Sequence, residues 1–322
     1  MRAADLIEYI SVFRSSTGDS PARQRFPRGS CSESAIGLDS LTGVQLGVNV
    51  PNFGPGVTPD RLLAWARTVE GLGYDLLLTS DHVTITPDVA AQYPAPFYEP
   101  FTMLSWLAGQ TGTIKLGTTV LIAPYRHPLL VARMAANLHQ LSRGRFVLGV
   151  GVGWAQQEFD ALGLDFRRRG KQTDELLDVL TAAWQNTDDY GACDIPIWVG
   201  GLTDAAQRRA IRYGAAWHPL RQSMPWMRDA VERLRRTADE QGRPVPDFVP
   251  RILLRCTREP LPDETRHAGE GSIDQILADL AELRLLGAHT IVLDPFAGDP
   301  AETEHPEIAW HALAAVRAEM EN

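Results

Sequence analysis

The sequence predicts an α/β protein, a single-domain (β/α)8 TIM barrel. From Val44 onward, eight short apolar runs alternate with segments of helical period. Most of the runs are short and rich in β-branched residues, as strands buried on both faces of a parallel sheet require. The alternation extends over roughly 280 residues, enough for eight strands each followed by a helix. A doubly wound open sheet is the competing arrangement. It would place a glycine-rich phosphate fingerprint after the first strand, and Asn49-Val50-Pro51-Asn52-Phe53-Gly54 is not one.

Residues 1–42 stand apart from the barrel, which is assigned to residues 43–322. The stretch from Ser15 to Ser40 is rich in Ser, Gly, Pro and Arg and reads as a poorly ordered extension, preceded by a short helix around Ala4 to Phe13. It is either an over-long translation start or a lid. The strand runs are Val44–Val50, Tyr74–Thr79, Ile114–Ile122, Arg145–Val150, Ile195–Val199, Ala215–His218, Arg251–Arg255 and Thr290–Leu293.

The helices announce their ends. Thr58 caps a helix with Pro59 at its first position and Leu62, Leu63, Ala66 and Val69 as its apolar stripe. Lys171 to Gln185 carries Leu176, Leu177, Leu180 and Trp184 on one face, Thr203 caps Asp204–Tyr213, and Pro225 opens a further helix. Ser272 and Gln275 have capping-box spacing. Two loops after strands are long, His82 to Pro100 with Tyr93, Phe97 and Tyr98, and Thr257 to Gly271. Loops of that length in a compact domain are lids or binding loops.

Composition narrows the function classes. The chain of 322 residues is 44% hydrophobic and 22% charged, with a net charge of −9. That charge argues against nucleic acid and against an anionic membrane surface. Any phosphate must be held by backbone amides and a few arginines. Cys31, Cys193 and Cys256 lack metal-type spacing and read as free thiols of a reducing compartment. Without a long apolar run or a signal-peptide core, the expected location is cytoplasmic.

The most informative segment is Arg145 to Trp154, a strand ending in alternating glycines at Gly149, Gly151 and Gly153 before a helix begins. Glycines let backbone approach a ligand, and free amides at a helix start attract an anion. A tight turn with no ligand explains the same pattern. Pro196-Ile197-Trp198-Val199-Gly200-Gly201-Leu202-Thr203 repeats the logic, and two such strand ends together point to one phosphorylated cofactor.

The ordered combination of these segments resembles the bacterial luciferase-like superfamily of flavin- and deazaflavin-dependent oxidoreductases. The resemblance is carried by Gly73-Tyr74-Asp75 with Ser80-Asp81-His82, Leu116-Gly117-Thr118-Thr119-Val120-Leu121 with His127-Pro128, Ser142 to Trp154, Pro196 to Gly201, and Gly214 to Pro219. It covers Val44 to about Leu293. It implies a cofactor ring over the strand ends, supported from behind by a non-prolyl cis peptide at Thr119–Val120. It also implies a phosphate on the amides around Gly151, Val152, Gly153, Trp154, Gly200, Gly201 and Leu202. In deazaflavin members a histidine at the position of His82 lies close to the ring and could trade a proton as hydride moves, and Asp81 beside it is counted with it as catalytic. Some sugar-phosphate dehydrogenases of the family carry a glutamate where this chain has Trp154, which speaks against that substrate class. Many members are dimers.

Other candidates stay open between two roles. His218, closing strand six, and Arg221 three residues on are read as meeting substrate or the cofactor side chain, His218 as catalytic and Arg221 as lining the substrate pocket. His127 reads as pocket lining or as a residue ordering the next helix. Phe97 and Tyr98, with Tyr93, Trp154 and Trp217, predict a partly apolar substrate pocket. His139 reads as structural. The expected function is F420-dependent hydride transfer to or from a small organic substrate. The alternatives are an FMN-dependent monooxygenase fed by a separate flavin reductase and a non-catalytic flavin-binding barrel. A Schiff-base lyase is disfavoured, since Lys115 and Lys171 are the only lysines and Lys115 opens its strand.

Overall fold

The computed structural model describes residues 43–320. The expected extension over residues 1–42, its short helix and Cys31 lie outside the described residues. Eight parallel strands form the core: β1 (Gln45–Asn49), β2 (Leu76–Thr79), β3 (Lys115–Thr118), β4 (Phe146–Gly151), β5 (Ile197–Gly200), β6 (Ala216–His218), β7 (Arg251–Leu253) and β8 (Thr290–Asp294). Seven neighbouring pairs are hydrogen-bonded ladders, running β6-β5-β4-β3-β2-β1-β8-β7. The ring closes between β6 and β7 through Trp217 N–H to Asp247 O, Val249 N–H to Trp217 O and Arg251 N–H to Pro219 O. This is a (β/α)8 barrel, as the alternating pattern predicts.

Eight helices surround it: α1 (Pro59–Gly71), α2 (Pro100–Ala108), α3 (Pro128–Leu141), α4 (Arg169–Ala183), α5 (Asp204–Tyr213), α6 (Met224–Glu240), α7 (Ile273–Leu285) and α8 (Pro306–Met320). Their starts follow from local chemistry. Thr58, Thr203 and Ser223 accept hydrogen bonds from their own first-turn amides, and Ser272 with Gln275 forms the reciprocal capping box. The inward stripe of α1 is Leu62, Trp65, Ala66 and Val69, with Leu63 only half-buried. Trp65 takes the place expected of Leu63 because it lies three residues after Leu62, on the same face.

Strand parity divides the core in two. Leu46, Val48, Leu77, Leu116, Leu148, Val199, Ile252 and Leu293 point outward under the helices. Leu76, Leu78, Val147, Trp198, Ala216, Val249 and Val292 fill the barrel interior. Each of the Leu, Val and Ile side chains among them, fully buried, contributes about 1.5–3 kcal/mol. Trp217 belongs to the outward set. It is fully buried, stacked on Phe248, and so is core and not the pocket aromatic expected from the sequence.

The run expected as one strand from Ile114 to Ile122 is interrupted. β3 stops at Thr118, a cis peptide joins Thr119 to Val120, and Leu121–Ile122 pairs with β4 as a separate two-residue strand. The bulge pushes the Val120 side chain against β4 and β5, which explains the alternating glycines there. A Cβ at Gly149 would lie 2.2 Å from Thr118 O, and one at Gly151 would lie 2.4 Å from Val120 Cγ2. The first neighbour is backbone and cannot swing aside. Gly149→Ala is therefore expected to destabilise the protein by about 1–3 kcal/mol, read from the urea midpoint. An unchanged midpoint would show that the bulge has room to retreat.

Candidate active site at the strand ends

The uppermost inward positions of β1, β6 and β8 are polar, where the layer below them is apolar or glycine. Hydrogen bonds join Asn49 of β1, His218 of β6, Arg251 of β7 and Asp294 of β8 with Thr119 into one polar cluster. Asp294 is fully buried and accepts from Arg251 Nη2 at 2.7 Å, Arg221 Nε at 2.8 Å and, through its other oxygen, Asn49 Nδ2 at 3.0 Å. Burial would raise this carboxyl, but the charges of Arg251 and Arg221 hold it below the ordinary carboxylate value. Arg251 also donates to Thr119 O at 2.7 Å and so holds the carbonyl of the cis peptide.

His218 completes this floor. Burial pushes its imidazole down to about 4, the bond to Val249 opposing and the Arg251 charge assisting. It is therefore neutral near pH 7. Nδ1–H donates to Val249 O at 2.6 Å, which leaves Nε2 to accept from the Thr119 hydroxyl at 2.8 Å. Both nitrogens are committed to the protein.

This depressed value has a consequence for stability. The unfolded chain takes up the proton near pH 6.5 and the folded protein near pH 4, so the unfolded state binds more protons in between. The associated stability is complete above about pH 6.5 and is lost as pH falls toward about 4. Between about pH 7.5 and about pH 5.5, the wild type should lose about 1 kcal/mol more than His218→Asn in urea melts. Equal losses would contradict a neutral buried His218.

A cavity of about 250 Å³ opens above the floor. Ser80, Asp81, His82 and Tyr93 line it from the β2 side, and Thr119, Val120 and Ile122 from the bulge. Gly151, Val152, Gly153 and Trp154 follow β4, Gly200 and Gly201 close β5, and His218, Leu220 and Arg251 come from β6 and β7. Among the described residues, the amides of Gly153 and Trp154 donate to no protein acceptor. Gly153 has φ +78°, which turns the chain there from strand into the short helix Gln156–Ala161. A larger hollow of about 410 Å³ between the β7 and β8 ends and α8 is lined mainly by apolar side chains and contains none of the floor residues.

The rim carries two further ionic clusters. Arg126 binds Asp81 through both terminal nitrogens at 2.7 and 2.8 Å and reaches Glu99 at 2.9 Å. Asp81 also accepts the amide of Ile122, so both its oxygens are engaged and it fixes the exit of the bulge. His82 Nδ1 lies 2.6 Å from Glu158, whose carboxylate also accepts the amides of Val83 and Thr84 and the hydroxyl of Tyr125. Burial would raise Glu158, yet the hydrogen bond and charge of His82 and the two amides bring it below the ordinary carboxylate value.

The expected site residues separate into two groups. His82, Asp81, His218, Thr119, Val120, Gly151, Val152, Gly153, Trp154, Gly200 and Gly201 meet at one cavity. Leu202, Phe97, Tyr98, His127 and Arg221 are not in its lining. His127 is exposed and caps α3, its Nδ1 accepting from Leu129 N–H. Arg221 is tied to Asp294 and Phe296 O. Phe97 stacks on Phe53 and meets the edge of His82, while Tyr98 binds Asn52 through its backbone. Sequence reasoning missed Glu158, Arg126, Arg251 and Asp294. Asp294 had a readable signal, a carboxylate at the C-terminal end of an apolar strand.

A family model described as luciferase-like monooxygenase matches residues 41–268. A Mycobacterium tuberculosis protein named phthiodiolone/phenolphthiodiolone dimycocerosates ketoreductase is 29% identical over 197 residues, 54% of this chain and 51% of that one. The chain thus spans about half the length of that relative. Two solved structures share the fold. One is the oxygenating constituent of 3,6-diketocamphane monooxygenase of Pseudomonas putida in complex with FMN, with TM-score 0.67, 15% identity and coverage of 86% of this chain and 97% of that one. The other is the coenzyme F420-dependent tetrahydromethanopterin reductase of Methanopyrus kandleri, with TM-score 0.65, 17% identity and coverage of 86% and 98%.

Proposed function

Because the chain belongs to the luciferase-like monooxygenase family of oxidoreductases, we propose that its barrel binds F420 and moves hydride between the deazaflavin and a small organic substrate. The observation that carries this reading is the juxtaposition of His82 with the Thr119–Val120 bulge at one cavity. The residues present fit such a cofactor. The bulge is held from below by Arg251 and offers a rigid support for a planar ring, and the unpartnered amides of Gly153 and Trp154 are donors suited to a phosphate.

When bound, F420 supplies a hydride carrier that reacts poorly with oxygen. The chain's own residues do the rest. Thr119, Val120 and Ile122 define the cavity's back, Tyr93 and Trp154 limit water at its rim, and His82 exchanges with the substrate the proton that balances the hydride. Asp81 and His218 act as supports, since their polar atoms are committed to Arg126, Ile122, Thr119 and Val249. That a relative is named a ketoreductase supports a carbonyl as the group reduced.

Titrating the protein with F420 and with FMN, read by quenching of the partly exposed Trp154, tests the reading. Tight F420 binding with weak FMN binding is expected. The reverse order would favour a monooxygenase that takes reduced FMN from a separate reductase. Tight binding without turnover of any carbonyl substrate would favour a non-catalytic carrier.

A further inference from the structure

We infer that Glu158 is a positioning residue that locks His82 in the tautomer with its proton on Nδ1, so that Nε2 alone serves the cavity. The inference about the proton rests on the structure itself, and only its kinetic consequence rests on the proposed function. Glu158 is fully buried, on the short helix Gln156–Ala161, and receives four donors: His82 Nδ1, the amides of Val83 and Thr84, and the Tyr125 hydroxyl. Burial, then the charge and hydrogen bond of Glu158, push the Tyr125 hydroxyl far above its ordinary value, so it stays protonated and donates.

An ionised carboxylate only accepts, so the 2.6 Å contact requires a proton on His82 Nδ1 whether the ring is neutral or charged. Nε2 has no protein partner among the described residues. The ring cannot turn away, because Tyr93 stacks on it at 5.5 Å and Phe97 and Trp154 meet it edge to face at 5.4 and 5.7 Å. The same carboxylate ties the loop after β2 to the segment after β4, two of the segments that carry the cavity wall.

Glu158→Gln separates this role from simple packing. The amides of Val83 and Thr84 are fixed donors and claim the new carbonyl oxygen. The new NH2 group then faces His82 Nδ1, which must become an acceptor and move its proton to Nε2. Nitrogen-15 NMR of the protein without cofactor should show His82 protonated on Nδ1 in the wild type and in Glu158→Asp, and on Nε2 in Glu158→Gln. Hydride-transfer kcat should fall about 100-fold or more in Glu158→Gln, with F420 affinity within about twofold, and recover in part in Glu158→Asp. A proton on Nε2 in the wild type would overturn the inference even if the glutamine variant failed to fold. So would Nδ1 protonation in Glu158→Gln, or an unchanged kcat after the tautomer has moved. Failure of F420 turnover in every variant, with the NMR result as expected, would count against the proposed cofactor and leave the tautomer lock standing.

Discussion

His82→Ala is expected to slow hydride transfer by about 100- to 10,000-fold while leaving F420 affinity within about twofold. His82 is 5% exposed, and that small surface faces the cavity. Its Nδ1 is spent on Glu158, so any proton exchanged with a substrate passes through Nε2. Alanine removes this group, and neither Asp81 nor His218 can replace it. Asp81 is clamped by Arg126 and the Ile122 amide, and His218 has both nitrogens occupied. The measurement is a single-turnover absorbance trace of F420 at saturating cofactor. A rate within threefold of wild type would show that the proton comes from water or from another side chain. A parallel loss of cofactor affinity would point to a packing role for the ring.

Asp294→Ala is expected to destabilise the fold by about 3–5 kcal/mol, because it leaves Arg251 and Arg221 without their shared carboxylate. Asn49 Nδ2 and the Phe296 amide lose their acceptor as well. The pair term can be isolated. Removing Arg251 as well, in Asp294→Leu with Arg251→Met, should cost less than Asp294→Ala alone, since only the partly exposed Arg221 guanidinium is then left without its carboxylate. Acid has a related effect with a definite sign. The folded Asp294 carboxyl sits below its ordinary value, so the stability it contributes is present above about pH 4 and is lost as pH falls through the folded value. Urea denaturation at neutral pH checks the first claim. A cost below about 1 kcal/mol for Asp294→Ala would mean that water has replaced the carboxylate.

The barrel was legible because its period is simple. Eight apolar runs, glycine and proline punctuation and capping residues such as Thr58 and Ser272 each depend on a few neighbours, and a single sequence displays them. The candidate cavity was legible where glycines and histidines end strands, as at Gly151, Gly200 and His218. What the glycines do was less legible. Gly149 and Gly151 make room for the protein's own Thr118–Val120 bulge, a contact between different strands that no local pattern announces. The aromatic reading went too far at Trp217, where parity held the answer: if His218 points into the barrel, its neighbour must point under the helices. Glu158, Arg251 and Asp294 were harder. Their partners lie 76, 132 and 245 residues away, and a charged residue beside apolar ones ordinarily marks a solvated face.

A crystal structure of the protein soaked with F420 tests the central claim most directly. The account predicts the deazaflavin ring against the Thr119–Val120 peptide, His82 Nε2 within hydrogen-bond reach of the substrate side of the cavity, and a phosphate on the amides of Gly153 and Trp154. A ring bound in the hollow beside α8, or a strand-end cavity that stays empty at saturating F420, would contradict it.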